Sequence, residues 1–326
     1  MNKRLLELLR CPCCRGRLTP AEMAATADGT ITGGTLICGC GRQYAIRDGV
    51  PRMVNGTLAS GTTAVRRTQA AFGYEWTRFD AYAADNFPAF ITPLPHGFFA
   101  GRLGLDAGCG AGRHAERACQ LGAEMVGVDL SDAVDVAARR AATHPSLNIV
   151  QGNLLALPFP LGTFDFIYSL GVLHHLPDPE AGFRSLVPYL KPGGRIFIWV
   201  YQRTRRKQWL EYARAVTTRL PLAAVQALSW AAAAVDYGIV VNLYRALKWI
   251  PAAERRTPLR IKEYARYDFY TAATDWFDRL AAPISHFYDA EDIRRWFTSA
   301  GLTQVETALV EDSWVWGIGT QTPCTS

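Results

Sequence analysis

Between residues 102 and 202, five short apolar segments alternate with amphipathic segments of helical periodicity. The apolar segments have the length and composition of buried strands. They read RLGLDAG, EMVGVDLS, LNIVQGN, FDFIYSLG and RIFIWVY. Because strands joined by single helices at this spacing form right-handed crossovers, we predict an α/β fold with a parallel sheet.

A further helix and two more strands follow near the C-terminal end of the sequence. DAEDIRRWFTSAG predicts the helix, and TQVETALV and SWVWGIGTQ lie on either side of the short turn EDS. Two strands separated by so short a turn pair as an antiparallel hairpin. The predicted sheet is therefore parallel and closed by an antiparallel C-terminal hairpin, which is not the plain dinucleotide-binding fold.

The first predicted strand runs into a glycine-rich turn in the stretch LDAGCGAG. A dinucleotide fingerprint requires G-x-G-x-x-G, whose third glycine lets helix and strand pack closely. The glycines here are Gly108, Gly110 and Gly112, and Arg113 takes the position of that third glycine. Asp106 ends the strand directly before the turn. Its carboxylate would repel a pyrophosphate but attract the amino group of a cationic ligand.

The stretch LDAGCGAG resembles the cofactor motif of class I S-adenosylmethionine-dependent methyltransferases, D-x-G-x-G-x-G. The resemblance, to methyltransferases of type 11, continues through FDFIYSLGVLHHLPDPEAGFRSLVPYLKPGGRIFIWVY and FYDAEDIRRWFTSAGL. It implies the Rossmann-like class I fold, with S-adenosylmethionine as the cofactor. The residues that it assigns to cofactor binding are Asp106, Gly108, Gly110, Gly112, Asp129, Leu130, Asn153, Leu154 and Ser169.

The resemblance implies a separate role for each strand end. Asp129 follows Gly108 by 21 residues, which suits one helix and one strand, and would pair with both ribose hydroxyls. Asn153 stands where the family most often has Asp and would hydrogen-bond the adenine. Ser169 would lie under the sulfonium. The alternative, a doubly wound fold that keeps the glycines for turn geometry alone, does not explain Asp106 and Asp129 together.

Two adjacent histidines follow the fourth predicted strand. Methyl transfer from a sulfonium is an in-line displacement, and it needs a base only where the acceptor must lose a proton. His174 and His175 lie near the expected acceptor position, and either is a candidate for this catalytic base. The alternative is that LHHLPD forms a helix-entry turn, in which one histidine is packed and the other bonds to the backbone.

Five of the eight cysteines lie between residues 11 and 40. Cys11-x-x-Cys14 and Cys38-x-Cys40 form two knuckles, and four thiolates on two tight turns suit a structural, tetrahedral Zn²⁺. This unit resembles the zinc-ribbon domains related to the small activator subunit of tRNA and protein methyltransferases. The second knuckle is one residue shorter than usual, and Cys13 offers a competing ligand. A ribbon that no longer binds metal is therefore the alternative.

Residues 203–288 interrupt the core at a position where methyltransferases often place a cap over the substrate. Residues 201–266 carry thirteen Lys/Arg and four Asp/Glu, a formal charge of +9, which leaves −3 for the remainder. From Leu220 to Tyr244 the only charged residue is Asp236. We favour a buried helical hairpin here, with an interfacial membrane helix second and a transmembrane span third. Candidates for an acceptor pocket in this region are Tyr264, Tyr267, Asp268, His286 and Tyr288.

These observations divide the sequence into five parts. They are a zinc-ribbon-like domain (1–55), a linker with helices over the cofactor site (56–99), the methyltransferase core (100–202), a helical cap (203–288) and the C-terminal helix and hairpin (289–326).

The predicted function is methyl transfer to a small-molecule, lipid-linked or glycan acceptor, because the cap is apolar at its centre. RNA is the alternative acceptor, suggested by the basic insertion and by similar zinc-ribbon domains in bacterial rRNA methyltransferases. A non-catalytic, cofactor-binding adapter that acts through the ribbon is a further alternative. The start, MNKRLLELLRCPCC, lacks the features of a signal peptide, so we expect a cytoplasmic protein. Peripheral membrane contact through residues 205–250 is also predicted.

Overall fold

Two β-sheets, one of four strands and one of seven, organise the chain. The computed structural model describes residues 1–54, 62–79, 86–204, 208–310 and 313–322. The smaller sheet lies in the N-terminal cysteine-bearing unit. The larger sheet carries the glycine-rich turn, and a layer of helices between its fifth and sixth strands in chain order forms the third part of the molecule.

The N-terminal unit begins with a short helix and continues as an antiparallel meander. Its elements are α1 (Lys3–Leu8), β1 (Leu18–Ala25), β2 (Ile31–Cys38), β3 (Gln43–Arg47) and β4 (Val50–Pro51). Asp48 and Gly49 join the last two strands, and both have positive φ angles, 50° and 74°. A two-residue turn of this kind has the twist that antiparallel strands require.

The larger sheet has the predicted topology. Its strands are β5 (Leu103–Ala107), β6 (Glu124–Asp129), β7 (Leu147–Gln151), β8 (Phe164–Leu170), β9 (Leu190–Tyr201), β10 (Thr303–Val310) and β11 (Trp314–Thr320). Their order is β10-β11-β9-β8-β5-β6-β7. Strands β7, β6, β5, β8 and β9 are parallel, whereas β11 runs antiparallel to β9 and β10 antiparallel to β11. The predicted fold class, a parallel sheet closed by an antiparallel hairpin, is therefore confirmed.

Helices cover both faces of this sheet, as apolar strands buried on both sides require. They are α4 (Arg113–Gln120), α5 (Val134–Ala141), α6 (Pro179–Leu186) and α13 (Ala290–Ser299). A capping box starts α13, in which Asp289 and Asp292 each accept the backbone N–H of the other. Before α5, the Ser131 hydroxyl donates to Asp129 Oδ1 at 2.7 Å and accepts the Ala133 N–H at 3.3 Å.

Two helices precede β5. They are α2 (Thr63–Arg78) and α3 (Phe87–Phe90), and Thr62 caps the first of them by accepting the Val65 N–H. The predicted linker begins at residue 56, but residues 55–61 lie outside the described residues and helix starts at Thr63. Among the described residues, a short 3₁₀ helix at His96–Phe98 also precedes β5, and others follow β7 and β8, at Leu154–Ala156, Leu173–His175 and Val187–Tyr189.

The insertion between β9 and α13 is helical. It contains α7 (Gln208–Thr217), α8 (Leu222–Val235), a π-helical turn (Asp236–Val241), α9 (Asn242–Leu247), α10 (Pro251–Arg256), α11 (Leu259–Tyr264) and α12 (Phe269–Ala281). α8, the π turn and α9 form one continuous helix, Leu222–Leu247, which we call the long helix. The expectation that this apolar segment is buried is wrong, because only 28% of the most apolar 18-residue window of the long helix is buried. By length and composition alone, this helix is long enough and apolar enough to cross a membrane.

The N-terminal unit is joined to the larger sheet at the β7 edge. Met53 N–H donates to Gln151 O at 2.8 Å, and Arg52 forms a parallel bridge with Gln151. Arg10 N–H donates to Pro158 O at 2.8 Å. The buried side chains of Leu5 and Leu9 belong to the same apolar cluster as the strands of the larger sheet. The two sheets therefore share one core.

Candidate active site and metal centre

A cavity of about 550 Å³ lies between the carboxyl ends of the parallel strands and the helical insertion. In open α/β sheets this edge is where ligands bind. The sheet contributes the turn after β5 and the residues that follow β6, β7 and β8. The helices α2, α7, α11 and α12 contribute much of the opposite wall, and side chains of α3, α4, β9 and β11 also line the cavity.

The glycine-rich turn forms part of the cavity lining through Gly108, Cys109 and Gly110. Gly108 and Gly110 have φ angles of 90° and 51°, which side-chain-bearing residues rarely adopt. A Cβ atom on Gly110 would lie 2.9 Å from the indole nitrogen of Trp76. The absence of a side chain therefore lets α2 close over the turn.

Gly112 has a different role from the two glycines before it. Among the described residues it is not part of the cavity lining. A Cβ atom here would lie 3.0 Å from Ala137 Cβ on α5. The missing side chain of Gly112 therefore allows α4 and α5 to pack closely. This predicted cofactor-binding residue faces α5 and not the cavity.

Asp129 and Leu130, at the end of β6, both line the cavity. Asp129 Oδ2 accepts the Gly110 N–H at 2.9 Å, and Oδ1 accepts the N–H of Ser131 at 2.8 Å. These bonds fix the carboxylate against the glycine-rich turn. Lone pairs that remain on its two oxygens suit hydroxyl donors of a ligand.

Asn153 and Leu154, after β7, also line the cavity. Asn153 Oδ1 accepts the Leu155 N–H at 2.9 Å and caps the short 3₁₀ helix that follows. This bond fixes the plane of the Asn153 amide at the cavity wall.

Asp106 and Ser169 lie beneath the turn, and neither is part of the cavity lining among the described residues. The Ser169 hydroxyl is fully buried and donates to Ala107 O at 2.8 Å, so it does not face the cavity. Asp106 is 2% exposed, and its Oδ2 has no hydrogen-bond partner among the described residues. Burial raises the pKa of Asp106 to about 8.

The structure separates the two histidines that the sequence predicts as alternative bases. His174 is buried outside the lining, with its ring centroid 4.0 Å from that of Tyr201 and 4.1 Å from that of His175. His175 lines the cavity. Its Nδ1 lies 2.7 Å from Ile284 O, and because a carbonyl only accepts, Nδ1 carries the proton. Of these two histidines, only His175 lines the cavity, and His114 of α4 is a further lining histidine.

His175 Nε2 lies 3.6 Å from Asp278 Oδ1, and neither atom has a hydrogen-bond partner among the described residues. The Tyr201 hydroxyl donates to the other oxygen of Asp278. Burial, opposed by the charge of Asp278, lowers the pKa of His175 below its usual value. Because this pKa is lowered, the imidazole is neutral at pH 7, and its Nε2 lies beside the Asp278 carboxylate in the cavity wall.

Helices α2, α11 and α12 bring four carboxyl groups into the lining, those of Glu75, Glu263, Asp275 and Asp278. Burial and the neighbouring Asp278 and Asp275 raise the pKa of Glu75 well above its usual value. Burial and the nearby Asp275 raise the pKa of Glu263 to about 7. Arg113, Arg214 and Arg279 also line the cavity and balance part of this charge.

Sequence reasoning did not identify the residues that α7 and α12 contribute to the site. Asp275, Asp278 and Arg279 have the i, i+3 and i+4 spacing of one helical face, but that spacing does not indicate what the face contacts. Of the residues proposed for an acceptor pocket, Tyr264 and Tyr267 line the cavity. Asp268, His286 and Tyr288 do not, and Asp268 instead caps α12 by accepting the Thr271 N–H.

The four predicted cysteine ligands converge in the N-terminal unit. The Sγ atoms of Cys11, Cys14, Cys38 and Cys40 all lie within 4.8 Å of one another. The Cys11–Cys40 and Cys14–Cys38 pairs are 3.7 and 3.4 Å apart. Tetrahedral zinc with Zn–S bonds of about 2.3 Å requires sulfurs roughly 3.8 Å apart. The group fits a structural zinc ion, and Cys13 is not part of it.

The strand order, the glycine-rich turn and Asp129 define a class I S-adenosylmethionine-binding methyltransferase fold, here preceded by a four-cysteine ribbon that could bind zinc. Comparison with known families gives both parts a name. Residues 105–198 match the methyltransferase domain of type 11, and residues 2–49 match the Trm112p-like proteins. The chain therefore carries a methyltransferase domain behind a Trm112p-like domain.

Two curated relatives each match part of the chain. An uncharacterized protein of Synechococcus sp. is 30% identical over 226 residues, which cover 65% of this chain and 51% of that protein. The ubiquinone biosynthesis O-methyltransferase of Xanthomonas oryzae is 34% identical over 108 residues, 32% of this chain and 45% of that enzyme. The chain thus spans about half the length of the curated relatives that it matches.

Two solved structures are also similar. One is a complex that contains the Haloferax volcanii Trm112 methyltransferase activator, with 14% identity, a TM-score of 0.48, and coverage of 80% of this chain and 99% of that chain. The other is an S-adenosylmethionine-dependent methyltransferase from Mesorhizobium loti, with 21% identity, a TM-score of 0.45, and coverage of 74% and 100%. The domain assignment rests on the family matches and the strand order.

Proposed function

We propose that this protein transfers a methyl group from S-adenosylmethionine to a hydroxyl group of a small-molecule acceptor. The observation that carries the proposal is the shared cavity, whose lining joins the glycine-rich turn and Asp129 to the pair formed by His175 and Asp278. At about 550 Å³ it falls in the size range of ligand sites in proteins. Cofactor and acceptor can therefore meet in one enclosed space.

The residues around the glycine-rich turn suit the cofactor. Asp129, held by Gly110 and Ser131, can accept hydrogen bonds from both ribose hydroxyls. Leu130 and Leu154 offer apolar contact to the adenine ring, and the Asn153 amide offers it a hydrogen bond. Bound here, S-adenosylmethionine supplies an electrophilic methyl group on a sulfonium.

His175 has the position and charge state of a general base. Its pKa is lowered by burial, and its Nε2 carries the lone pair because Nδ1 donates to Ile284 O. In the proposed reaction the acceptor hydroxyl gives its proton to Nε2 while the oxygen–carbon bond forms and the sulfur–carbon bond breaks. Asp278, 3.6 Å away, stabilises the imidazolium that results. The products are a methyl ether and S-adenosylhomocysteine.

The charges of the lining favour a small acceptor over RNA. The lining holds the carboxyl groups of α2, α11 and α12, and burial, followed by the charge of the nearby aspartates, raises the pKa values of Glu75 and Glu263. A phosphate group brought among them would add further repulsion. The ubiquinone biosynthesis O-methyltransferases among the relatives are named for methylation at oxygen, which agrees with a hydroxyl acceptor.

The test supplies methyl-labelled S-adenosylmethionine with a panel of small hydroxylated aromatics and, separately, with total RNA. We expect label only in the small molecules. The His175→Gln variant should lower kcat by roughly 10²–10⁴-fold, the usual contribution of a general base. The wild-type rate should fall as the pH drops below the His175 pKa, which lies below 6.5, and this decline should be absent from the variant.

His144→Gln, which changes a histidine outside the cavity lining, is the matched control and should leave kcat unchanged. Label transferred to RNA, or an unchanged kcat in His175→Gln, would contradict the proposal.

A further inference from the structure

The outward face of the long helix is almost entirely apolar. Its exposed large side chains include Leu228, Trp230, Val235, Ile239 and Leu243. The other exposed positions between residues 223 and 247 are alanines and further apolar residues, together with Gly238 and Asn242. No charged side chain lies on this face, although a helix exposed to water normally carries several. The face therefore lacks the charged side chains that normally cover a helix exposed to water.

The polar groups of the same helix point inward. Asp236, the only acidic residue between 222 and 247, is buried and accepts the indole N–H of Trp276 on α12 at 2.9 Å. Gln226 Oε1 accepts the Tyr74 hydroxyl of α2 at 2.7 Å. The helix is thus apolar on its outward face and carries its one acidic residue on the inward face. This arrangement suits an outer surface in contact with an apolar medium.

Cations lie at both ends of this face. Arg219 precedes the helix, and Lys248, Arg255 and Arg256 follow it; all four are exposed. No exposed acidic side chain lies between residues 219 and 256, since Asp236 is buried and Glu254 is partly buried and contacts Lys262. The Trp249 side chain, 82% exposed, lies beside the Lys248 ammonium at 5.0 Å from its ring centroid. Exposed tryptophan next to lysine is typical of the interfacial layer of a bilayer.

We propose that the outward face of the long helix binds the surface of an anionic phospholipid bilayer, with the apolar side chains in the acyl boundary and the cations at the headgroups. The cationic flanks distinguish this partner from a second copy of the chain, since a two-fold contact would bring like charges together. The helix lies along the surface and does not cross it, because Val225, Ser229 and Ala233 are buried on its opposite side. This inference does not depend on the proposed methyl transfer.

The experiment is flotation of the full-length, zinc-loaded protein with vesicles of phosphatidylglycerol and phosphatidylcholine, compared with phosphatidylcholine alone. We expect the wild type to float with the anionic vesicles and to be released as salt increases. The variant Val235→Glu/Ile239→Glu/Leu243→Glu places charge on three exposed positions and disturbs no buried contact. It should bind at least about tenfold more weakly, because each charge must enter the acyl boundary.

Leu161→Glu/Leu309→Glu is the matched control, since both leucines are half-exposed on other parts of the molecule, and it should float like the wild type. S-adenosylmethionine affinity should be the same in all three proteins, so a failure to float is distinguishable from a failure of the cofactor site. Wild type that stays unbound, or a face variant that floats equally well, would overturn the inference. So would a wild-type dimer in lipid-free solution that the face variant splits into monomers.

Discussion

At the scale of single residues, the fold controls the ionisation of Asp106 through its surroundings. The carboxyl group lies beneath the glycine-rich turn at the end of β5, almost fully buried, and burial raises its pKa to about 8. Burial is the largest cause of this shift, and the nearby charge of Asp129 also contributes to it. In the ligand-free protein near neutral pH this group is therefore largely protonated, whereas the unfolded chain carries it as an anion.

The first prediction concerns stability against pH. Between 3.8, the ordinary pKa, and about 8, the folded protein holds a proton on Asp106 that the unfolded chain has lost. The free energy of unfolding should therefore fall as pH rises, by up to about 1.4 kcal/mol per pH unit relative to Asp106→Asn. Denaturant unfolding between pH 5 and 7.5 measures this difference. Asp132→Asn, at an exposed position, is the control, and a pH-independent difference between wild type and Asp106→Asn would contradict the prediction.

Whether a site residue can be predicted from the sequence depends on whether it follows a strand of the parallel sheet or is positioned by a contact distant in sequence. Gly108, Gly110, Asp129 and Asn153 were predictable because the ends of parallel strands meet at one edge of the sheet. Which of His174 and His175 lines the cavity was not predictable from two adjacent histidines in the sequence. Which one faces the cavity depends on Ile284, 109 residues further along the chain, whose carbonyl holds the His175 ring.

At the scale of elements, the N-terminal ribbon combines a small core with a four-cysteine group. The turn after β2 brings Cys38 and Cys40 to Cys11 and Cys14, and Tyr44 lies 3.2 Å from Cys11 Sγ. A unit of this size has too few buried side chains to be stable without a metal, a disulfide or a partner surface. Its sequence spacing indicated the four ligands, because two short knuckles leave few other arrangements.

The second prediction follows from this geometry. Wild-type protein should contain one zinc ion per chain by elemental analysis, and Cys38→Ser should contain much less, since three thiolates bind zinc more weakly than four. Cys13→Ser is the matched control, because Cys13 is not part of the group, and it should retain full zinc. Equal zinc loss in Cys13→Ser and Cys38→Ser, or wild type without zinc, would contradict the assignment.

The strands and the long helix differ in how well the sequence predicted them. Each of β5 to β9 was indicated by a short apolar run ended by polar or glycine residues. The long helix has a similar apolar content but exposes it, and exposure is a tertiary property that periodicity cannot give. The expectation of a buried segment assumed that apolar residues are buried, which does not hold for the outward face of this helix.

At the scale of the whole molecule, the ribbon and the methyltransferase domain are joined by a common core. Leu5 and Leu9 are each 1% exposed and pack in the same cluster as Leu103 and Val150 of the larger sheet. Backbone hydrogen bonds at the β7 edge reinforce this contact. The two domains should therefore unfold together.

The third prediction tests this coupling. Leu9→Ala should reduce the free energy of unfolding by about 2–5 kcal/mol, the usual cost of a buried leucine deletion. All nine tryptophans lie between residues 76 and 316, so tryptophan fluorescence reports on the chain outside the ribbon. If the two domains unfold together, this loss of stability should appear in the unfolding transition measured by tryptophan fluorescence. Leu161→Ala, at a half-exposed site, is the control and should change little. A Leu9→Ala variant with an unchanged tryptophan transition would show that the domains unfold separately.

The central claim, that the cavity holds S-adenosylmethionine against Asp129, is tested most directly by calorimetric titration of the zinc-loaded protein with S-adenosylmethionine and S-adenosylhomocysteine. We predict binding of both to the wild type and to Asp132→Ala, an exposed neighbour outside the cavity lining. Asp129→Ala should bind at least about tenfold more weakly, because two charge-assisted hydrogen bonds to the ribose are lost. No binding to folded wild type, or equal binding to Asp129→Ala, would contradict the account.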